Sequence, residues 1–248
     1  MSDTELSADD LVRPIKRTDG DDLEDRLTSN AYHNILPARY LRKDANGDLI
    51  EDQEDLFPRV AKNIALAEAA FEAERRDVEV TVSPDQVKPD HPRRDELAEE
   101  VFGVGTTADD DVETALTPHN VNKFAYETVV PELPGEIRTV VEETREEFET
   151  LMGDLSFMPN SPTLMNAGDE LQQLSACFVD SPEDDIDDIH QTAKEAAQVF
   201  QSGGGMGYAF WRLRPYGDAV GSTGGIASGP ITFMRTFDQM CETIAQGG

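Results

Sequence analysis

Leu174-Ser175-Ala176-Cys177-Phe178-Val179, a helical stretch from Asp187 to Gln201, and Gly207-Tyr208-Ala209-Phe210-Trp211-Arg212-Leu213 decide the fold class. Two short strand-like runs flank a helix whose Ile186, Ile189, Ala193, Ala197 and Phe200 recur on one face. A crossover of that length suits parallel strands, which no tight turn can join. From about residue 153 the chain therefore reads as α/β. A last helix is predicted from Pro230, well placed in a first turn, to Ala245, with Phe233, Met234, Phe237, Met240, Cys241 and Ile244 as its apolar stripe.

Upstream the pattern is helical. Residues 1–20 are polar and acidic and read as disordered. Residues 21–152 read as a mainly helical region. Asn46-Gly47 marks a turn between Arg39–Lys43 and Leu49-Ile50. The spacing of Leu56, Phe57, Val60, Ile64, Ala67 and Phe71 predicts one helix over 53–75, and a second is expected over 118–130. The clearest helix spans 135–152: Ile137, Val140, Val141, Thr144, Phe148, Leu151 and Met152 face one way, and Glu142, Glu143, Glu146 and Glu147 the other. Residues 84–116, with their prolines and the run Asp109-Asp110-Asp111, read as an acidic insertion or long surface loop with a short helix near Asp95–Phe102. No internal repeat is visible. One strand–helix–strand unit is too small to close a domain, so 153–248 is read as an incomplete one, and Gln246-Gly247-Gly248 as a connector in a chain that has been cut.

The 248 residues carry 51 acidic against 21 basic side chains, a net charge of -30. The acid is spread along the chain, and Lys is scarcer than Arg. Carboxylates distributed in this way hydrate a protein in concentrated salt, where repulsion is screened within a few Å, so the expected setting is the cytoplasm of a salt-accumulating halophile. Nucleic acid is an unsuitable partner because phosphate backbones require a basic footprint. No stretch has the length and apolarity of a membrane span or a signal peptide. Cys177 and Cys241, the only cysteines, can make neither a disulfide framework nor a zinc site, and no metal site is expected.

Four segments sit where ligands lie in parallel α/β folds, at strand ends and helix starts. Met158–Gly168 offers Ser161, Thr163, Asn160 and Asn166 on a backbone pinned by two prolines; a capped turn fits the same residues. In Ser175–Val179, Cys177 is either a buried small hydrophobe or a redox thiol, and Ser175 and Ala176 keep its surroundings small. In Gln201–Gly207, glycines permit close backbone approach and N–H groups aimed at phosphate, although helices commonly end in glycine. Finally Arg212 and Arg214, in a Lys-poor chain, precede a Gly/Ser/Thr-rich loop to Pro230. A phosphate site and a mobile loop with surface ion pairs both fit that segment.

In this order and spacing, Pro159-Asn160-Ser161-Pro162-Thr163-Leu164-Met165-Asn166, Ser175-Ala176-Cys177-Phe178-Val179, Ser202-Gly203-Gly204-Gly205-Met206-Gly207 and Gly221-Ser222-Thr223-Gly224-Gly225 resemble the ribonucleotide reductase catalytic subunit, in its dimeric, adenosylcobalamin-dependent class II branch. The resemblance is dense over about 150–248 and weaker over 23–75, through Leu27–Tyr32 and Arg39-Tyr40-Leu41; it does not extend to 84–116. It implies a helical N-terminal region followed by the opening part of a ten-stranded α/β barrel. Cys177 matches one of two cysteines that reduce the ribose and end as a disulfide. Ser161, Ala176, Cys177 and Gly205 match substrate-binding positions. Asp184 and Arg214 match effector-binding positions, at the ribose and phosphate of a deoxynucleotide, and the loop 218–229 matches part of that site. The helix 230–245 matches a dimer-forming helix. Implied partners are a ribonucleotide, a deoxynucleotide effector, a thioredoxin-like or glutaredoxin-like reductant, a second copy and the remaining C-terminal part of the enzyme.

Gln201 stands where the resemblance leads one to expect a lysine. The thiyl-radical cysteine and the second redox cysteine have no counterpart here, and Cys241, on an apolar helix stripe, reads as a packed thiol. Alone, the chain is expected to be inactive. A class I subunit, and a nucleotide-sensing module without catalysis, are the competing readings. One expectation needs only the charge. Lowering salt from about 1 M to about 0.01 M lengthens screening from about 3 Å to about 30 Å. The helical circular-dichroism signal of the chain falls across that range, and a signal indifferent to salt contradicts the halophile reading.

Overall fold

The computed structural model describes residues 20–107, 111–221 and 224–244. The expectations for residues 1–19, Asp109, Asp110, Ser222, Thr223 and the end of the last helix at Ala245 lie outside them. In chain order the main elements are α1 (Leu56–Ala65), α2 (Ala67–Arg76), β1 (Thr81–Val82), α3 (Arg94–Phe102), β2 (Thr114–Ala115), α4 (Gly135–Gly153), α5 (Ser161–Asn166), β3 (Cys177–Asp180), α6 (Ile186–Gln201), β4 (Gly205–Tyr208), β5 (Ala219–Val220), β6 (Gly225–Ile226) and α7 (Pro230–Thr243). The described residues form two compact units. One runs to Gln86 and resumes from Thr107 to Met158; the other comprises Val87–Thr106 and the chain from Pro159 onward.

The second unit holds the strand–helix–strand element. β3 and β4 pair in parallel, with Cys177 opposite Gly205 and Asp180 opposite Tyr208. Both strands are displaced from their expected bounds. The ladder starts at Cys177 because the carbonyls of Gln173 and Leu174 are taken by side chains of α5. β4 starts two residues early, in the glycine run, and ends at Tyr208, where Phe210–Arg212 turn into a 3-10 helix. α6 buries Ile189, Thr192, Ala196 and Phe200, while Ile186 is exposed, so its inner face is rotated from the expected one. Asp185 caps α6, its carboxylate accepting from the N–H groups of Asp187 and Asp188.

Ile189, Leu213 and Phe237 of α7 form this unit's buried cluster, with Tyr208, Phe210, Phe233 and Met240 against it. Of the expected α7 stripe only Phe237 is buried. Met234 and Cys241 are exposed, so Cys241 is not a packed thiol: no described element covers that flank of the helix. The expected short helix is present as α3. The stretch around it is not simply a surface loop, since Val87 and Ala98 are fully buried.

In the first unit α1 and α2 pack along α4. α4 buries Ile137, Val141 and Met152 and exposes Glu142, Glu143, Glu146 and Glu147. The single helix expected over 53–75 is two. A short 3-10 turn, Gln53–Asp55, precedes α1, and the helix breaks at Leu66. The break shifts the phase, so Ala69, Ala70 and Ala73 turn inward and Phe71 outward. Small alanines permit close approach to α4. The helix expected over 118–130 is also interrupted. Phe124 is extended and buried, and the Ala125 N–H donates to the carbonyl of Gln86 at 3.2 Å. Burial of Phe124 outweighs helix continuity there.

The expected turn forms at Asp44–Asp48, with Gly47 at φ +89° and Lys43 bridged to Leu49. It returns the chain to Glu51, whose side chain is 5% exposed and accepts from Arg59 Nε at 2.6 Å, Arg59 Nη2 at 3.1 Å and the Arg42 N–H at 2.9 Å. Removing one member of a buried pair strands the other charge and costs about 3 kcal/mol or more. Glu51→Ala therefore lowers the unfolding free energy by about 3 kcal/mol in denaturant titration; a change below about 0.5 kcal/mol contradicts this account.

Candidate functional site

The head of β3 gathers most of the residues singled out in the sequence. Cys177 is a free thiol and exposed, so the buried-hydrophobe reading of it fails. Gly205 lies opposite it, and the Gly205 N–H donates to the Ala176 carbonyl at 2.8 Å. Ala176, Cys177 and Gly205 thus form one patch. Ser161 is exposed at the start of α5, on the helix that holds the carbonyls leading into β3.

The glycine run is built differently from a phosphate cradle. The N–H groups of Gly203, Gly204 and Gly205 are spent inside the chain, on the carbonyls of Phe200, Val199 and Ala176. Gly203, at φ +83°, ends α6 in the left-handed conformation. Gly204 is buried: a Cβ there would lie 2.8 Å from Val199 Cγ1 and 2.9 Å from Phe178 Cε2. Glycine is needed at 204 for packing. At Gly205 such a Cβ would meet the Ala176 carbonyl oxygen at 3.6 Å, an ordinary van der Waals contact.

Asp184 and Arg214 lie apart from this patch in sequence but bond to each other. Arg214 Nε donates to Asp184 Oδ2 at 2.6 Å and the Arg214 N–H to Oδ1 at 3.2 Å. Arg212 donates to Glu183 Oε1 at 2.5 Å and to the Ser181 carbonyl at 3.3 Å. Both arginines of the fourth segment therefore clasp the 181–184 turn that follows β3. After them β5 and β6 form a short antiparallel hairpin leading to Gly229, at φ +75° against Tyr216, and then to α7. Gln201 is exposed at the end of α6. The Tyr208 hydroxyl, at the end of β4, is buried with no hydrogen-bond partner among the described residues. Burial, followed by the proximity of Cys241 and Asp180, pushes its pKa up to about 12.

Sequence reasoning passed over Gln173. Its carbonyl accepts from Asn166 Nδ2 at 2.7 Å, its Oε1 from the Ser175 N–H at 2.5 Å, and its Nε2 donates to the Ser202 carbonyl at 3.4 Å. A glutamine ahead of a strand carries no pattern that would mark it; only the folded contacts do. Among the described residues no group of three or more His, Cys, Asp or Glu is disposed to hold a metal ion, and no helix is long and apolar enough to cross a membrane.

Residues 26–172 match the ribonucleotide reductase all-alpha domain, and residues 175–248 match the ribonucleotide reductase barrel domain. The chain belongs to the ribonucleotide reductase family. Residues 84–116, for which the sequence offered no likeness, fall within the first match. The chain is similar to the vitamin B12-dependent ribonucleoside-diphosphate reductase of Thermoplasma acidophilum, 39% identical over 242 residues, covering 92% of this chain and 28% of that one. The enzyme of the same name from Mycobacterium tuberculosis is 50% identical over 103 residues, 42% of this chain and 15% of its own. The ribonucleoside-diphosphate reductase large chain of Neurospora crassa is 38% identical over 99 residues, 40% of this chain and 11% of its own. The chain thus spans under a third of the length of these relatives.

Proposed function

We propose that this chain is the N-terminal part of a ribonucleoside-diphosphate reductase large subunit of the adenosylcobalamin-dependent type. Carrying most weight is the 39% identity to a vitamin B12-dependent reductase across 92% of the chain. The exposed thiol of Cys177, on a strand head with small neighbours, supports the same reading. On this reading residues 153–248 open a ten-stranded α/β barrel, residues 21–152 precede it as a helical region, and the protein works in the cytoplasm of a halophile. The parallel pair itself favours further strands and cover. Parallel sheets are buried on both faces, whereas Val179 is 82% exposed.

In the proposed reaction a ribonucleotide loses its 2′-hydroxyl as water. Two thiols supply the two electrons and become a disulfide, which a thioredoxin-like or glutaredoxin-like protein reduces. Cys177 is one of those thiols; the radical-forming thiol and the second reductant thiol belong to the rest of the enzyme, so this segment alone is inactive. Ser161, Ala176 and Gly205 border the nucleotide, beside the exposed Cys177 thiol. Asp184 and Arg214 hold a deoxynucleotide effector, and α7 pairs with its counterpart in a second copy. Adenosylcobalamin, when bound, supplies the radical that starts ribose hydrogen abstraction. Hollows along α7 and beside Arg26 and Arg145 are shallow and open to solvent. No cobalamin contact is assigned to this segment.

Two variants of the full-length reductase test the reading. Cys177→Ser abolishes turnover with a dithiol reductant and leaves deoxynucleotide binding intact; retained turnover contradicts the role given to Cys177. Arg214→Ala weakens effector binding by about tenfold or more, the scale of a lost charge-assisted hydrogen bond. A larger loss of substrate than of effector affinity means that the two sites have been exchanged.

A further inference from the structure

The segment Gln172–Ala176 lies immediately before the thiol and lacks a ladder partner until Ala176. Backbone that is not in a sheet must find other partners. Here they are side chains. Thr163, 6% exposed on α5, has one hydroxyl proton and two acceptors in reach, the Leu174 carbonyl at 2.8 Å and Asn160 Oδ1 at 3.0 Å. The nearer acceptor is Leu174. One turn further along α5, Asn166 Nδ2 donates to the Gln173 carbonyl at 2.7 Å. Gln173 carries the connection on, to the Ser175 N–H and to the Ser202 carbonyl at the start of the glycine run. Gln172 takes the left-handed φ of +48°, and its Oε1 accepts from the Gly168 N–H at 3.0 Å and Lys88 Nζ at 2.9 Å.

We infer that Thr163, Asn166 and Gln173 are positioning residues, which fix the Cys177 thiol relative to Ser161 on α5 and Gly205 on β4. The inference rests on the proposed reductase reading and extends it to side chains that touch no reacting atom. Three pieces of chain meet here: α5, the lead into β3 and the glycine run. Beside the β3–β4 ladder, the Gly205 N–H to Ala176 carbonyl bond joins two of them. The side chains add restraints that tie in α5. Misplacing a reacting group by about 1 Å costs about 100-fold in rate, so loosening this lattice acts on chemistry before it acts on folding.

The test uses the full-length reductase. Thr163→Val keeps the shape and removes the proton donor; Thr163→Ser keeps the donor. The expected result is a 10- to 100-fold fall in kcat for Thr163→Val, on the scale of such misplacement, with deoxynucleotide effector affinity unchanged and kcat recovered to within about threefold in Thr163→Ser. Asn166→Ala, at a half-buried site, gives the same split and serves if Thr163→Val fails to fold. A folded variant with wild-type kcat overturns the inference, as does a fall that Thr163→Ser does not recover. If Cys177→Ser also keeps its turnover, the reductase role of the thiol has failed; if Cys177→Ser is inactive, only the positioning role has.

Discussion

Cys177 lies opposite Gly205 in a parallel register, and parallel strands cannot be joined by a tight turn. α6 supplies the crossover, and its length brings the glycine run back beside the thiol strand. The register then dictates the glycines. Gly203 releases the chain from α6, Gly204 admits Phe178 and Val199 at closer range than a Cβ would permit, and Gly205 pairs with Cys177. At the other end of the pair, Arg212 and Arg214 hold the turn that leaves β3. The proposed substrate patch and the proposed effector pair are thus attached to opposite ends of one short strand, four residues long.

The helical unit is organised by a different constraint. Its surface is heavily acidic, as the outer face of α4 illustrates, and its interior sets the alanines of α2 beside Leu56, Phe57 and Val60 of α1. Two carboxylates are nonetheless taken inside: Glu51, satisfied by Arg59 and the Arg42 N–H, and Glu72, paired with Arg75 and Arg76. Exposed acid responds to the ionic strength of the solvent, whereas a buried, fully bonded carboxylate is screened much less.

Much of this was legible in the sequence. The crossover helix, α4 and the Asn46-Gly47 turn declare themselves by periodicity and turn chemistry, because in each the local preference and the tertiary demand agree. The departures arise where they disagree. Leu66 breaks a continuous helical pattern to bring Ala69, Ala70 and Ala73 against α4, and Phe124 gives up helix for burial. The glycine run suggested N–H groups free for phosphate, yet the helix end and the ladder consume them. Cys177, Ser161, Ala176, Gly205, Asp184 and Arg214 were marked by resemblance. That Asp184 and Arg214 bond to each other, and that Gln173 links three segments, are long-range facts no local pattern encodes.

In the proposed reaction Cys177 gives up its thiol hydrogen and becomes half of a disulfide as deoxynucleotide forms. The most direct measurement is a single turnover of the pre-reduced full-length enzyme without external dithiol, quenched by alkylation and mapped by peptide mass spectrometry. The account predicts that Cys177 passes from alkylated to disulfide-linked in proportion to the deoxynucleotide made. Product formed while Cys177 remains a fully alkylatable thiol contradicts it.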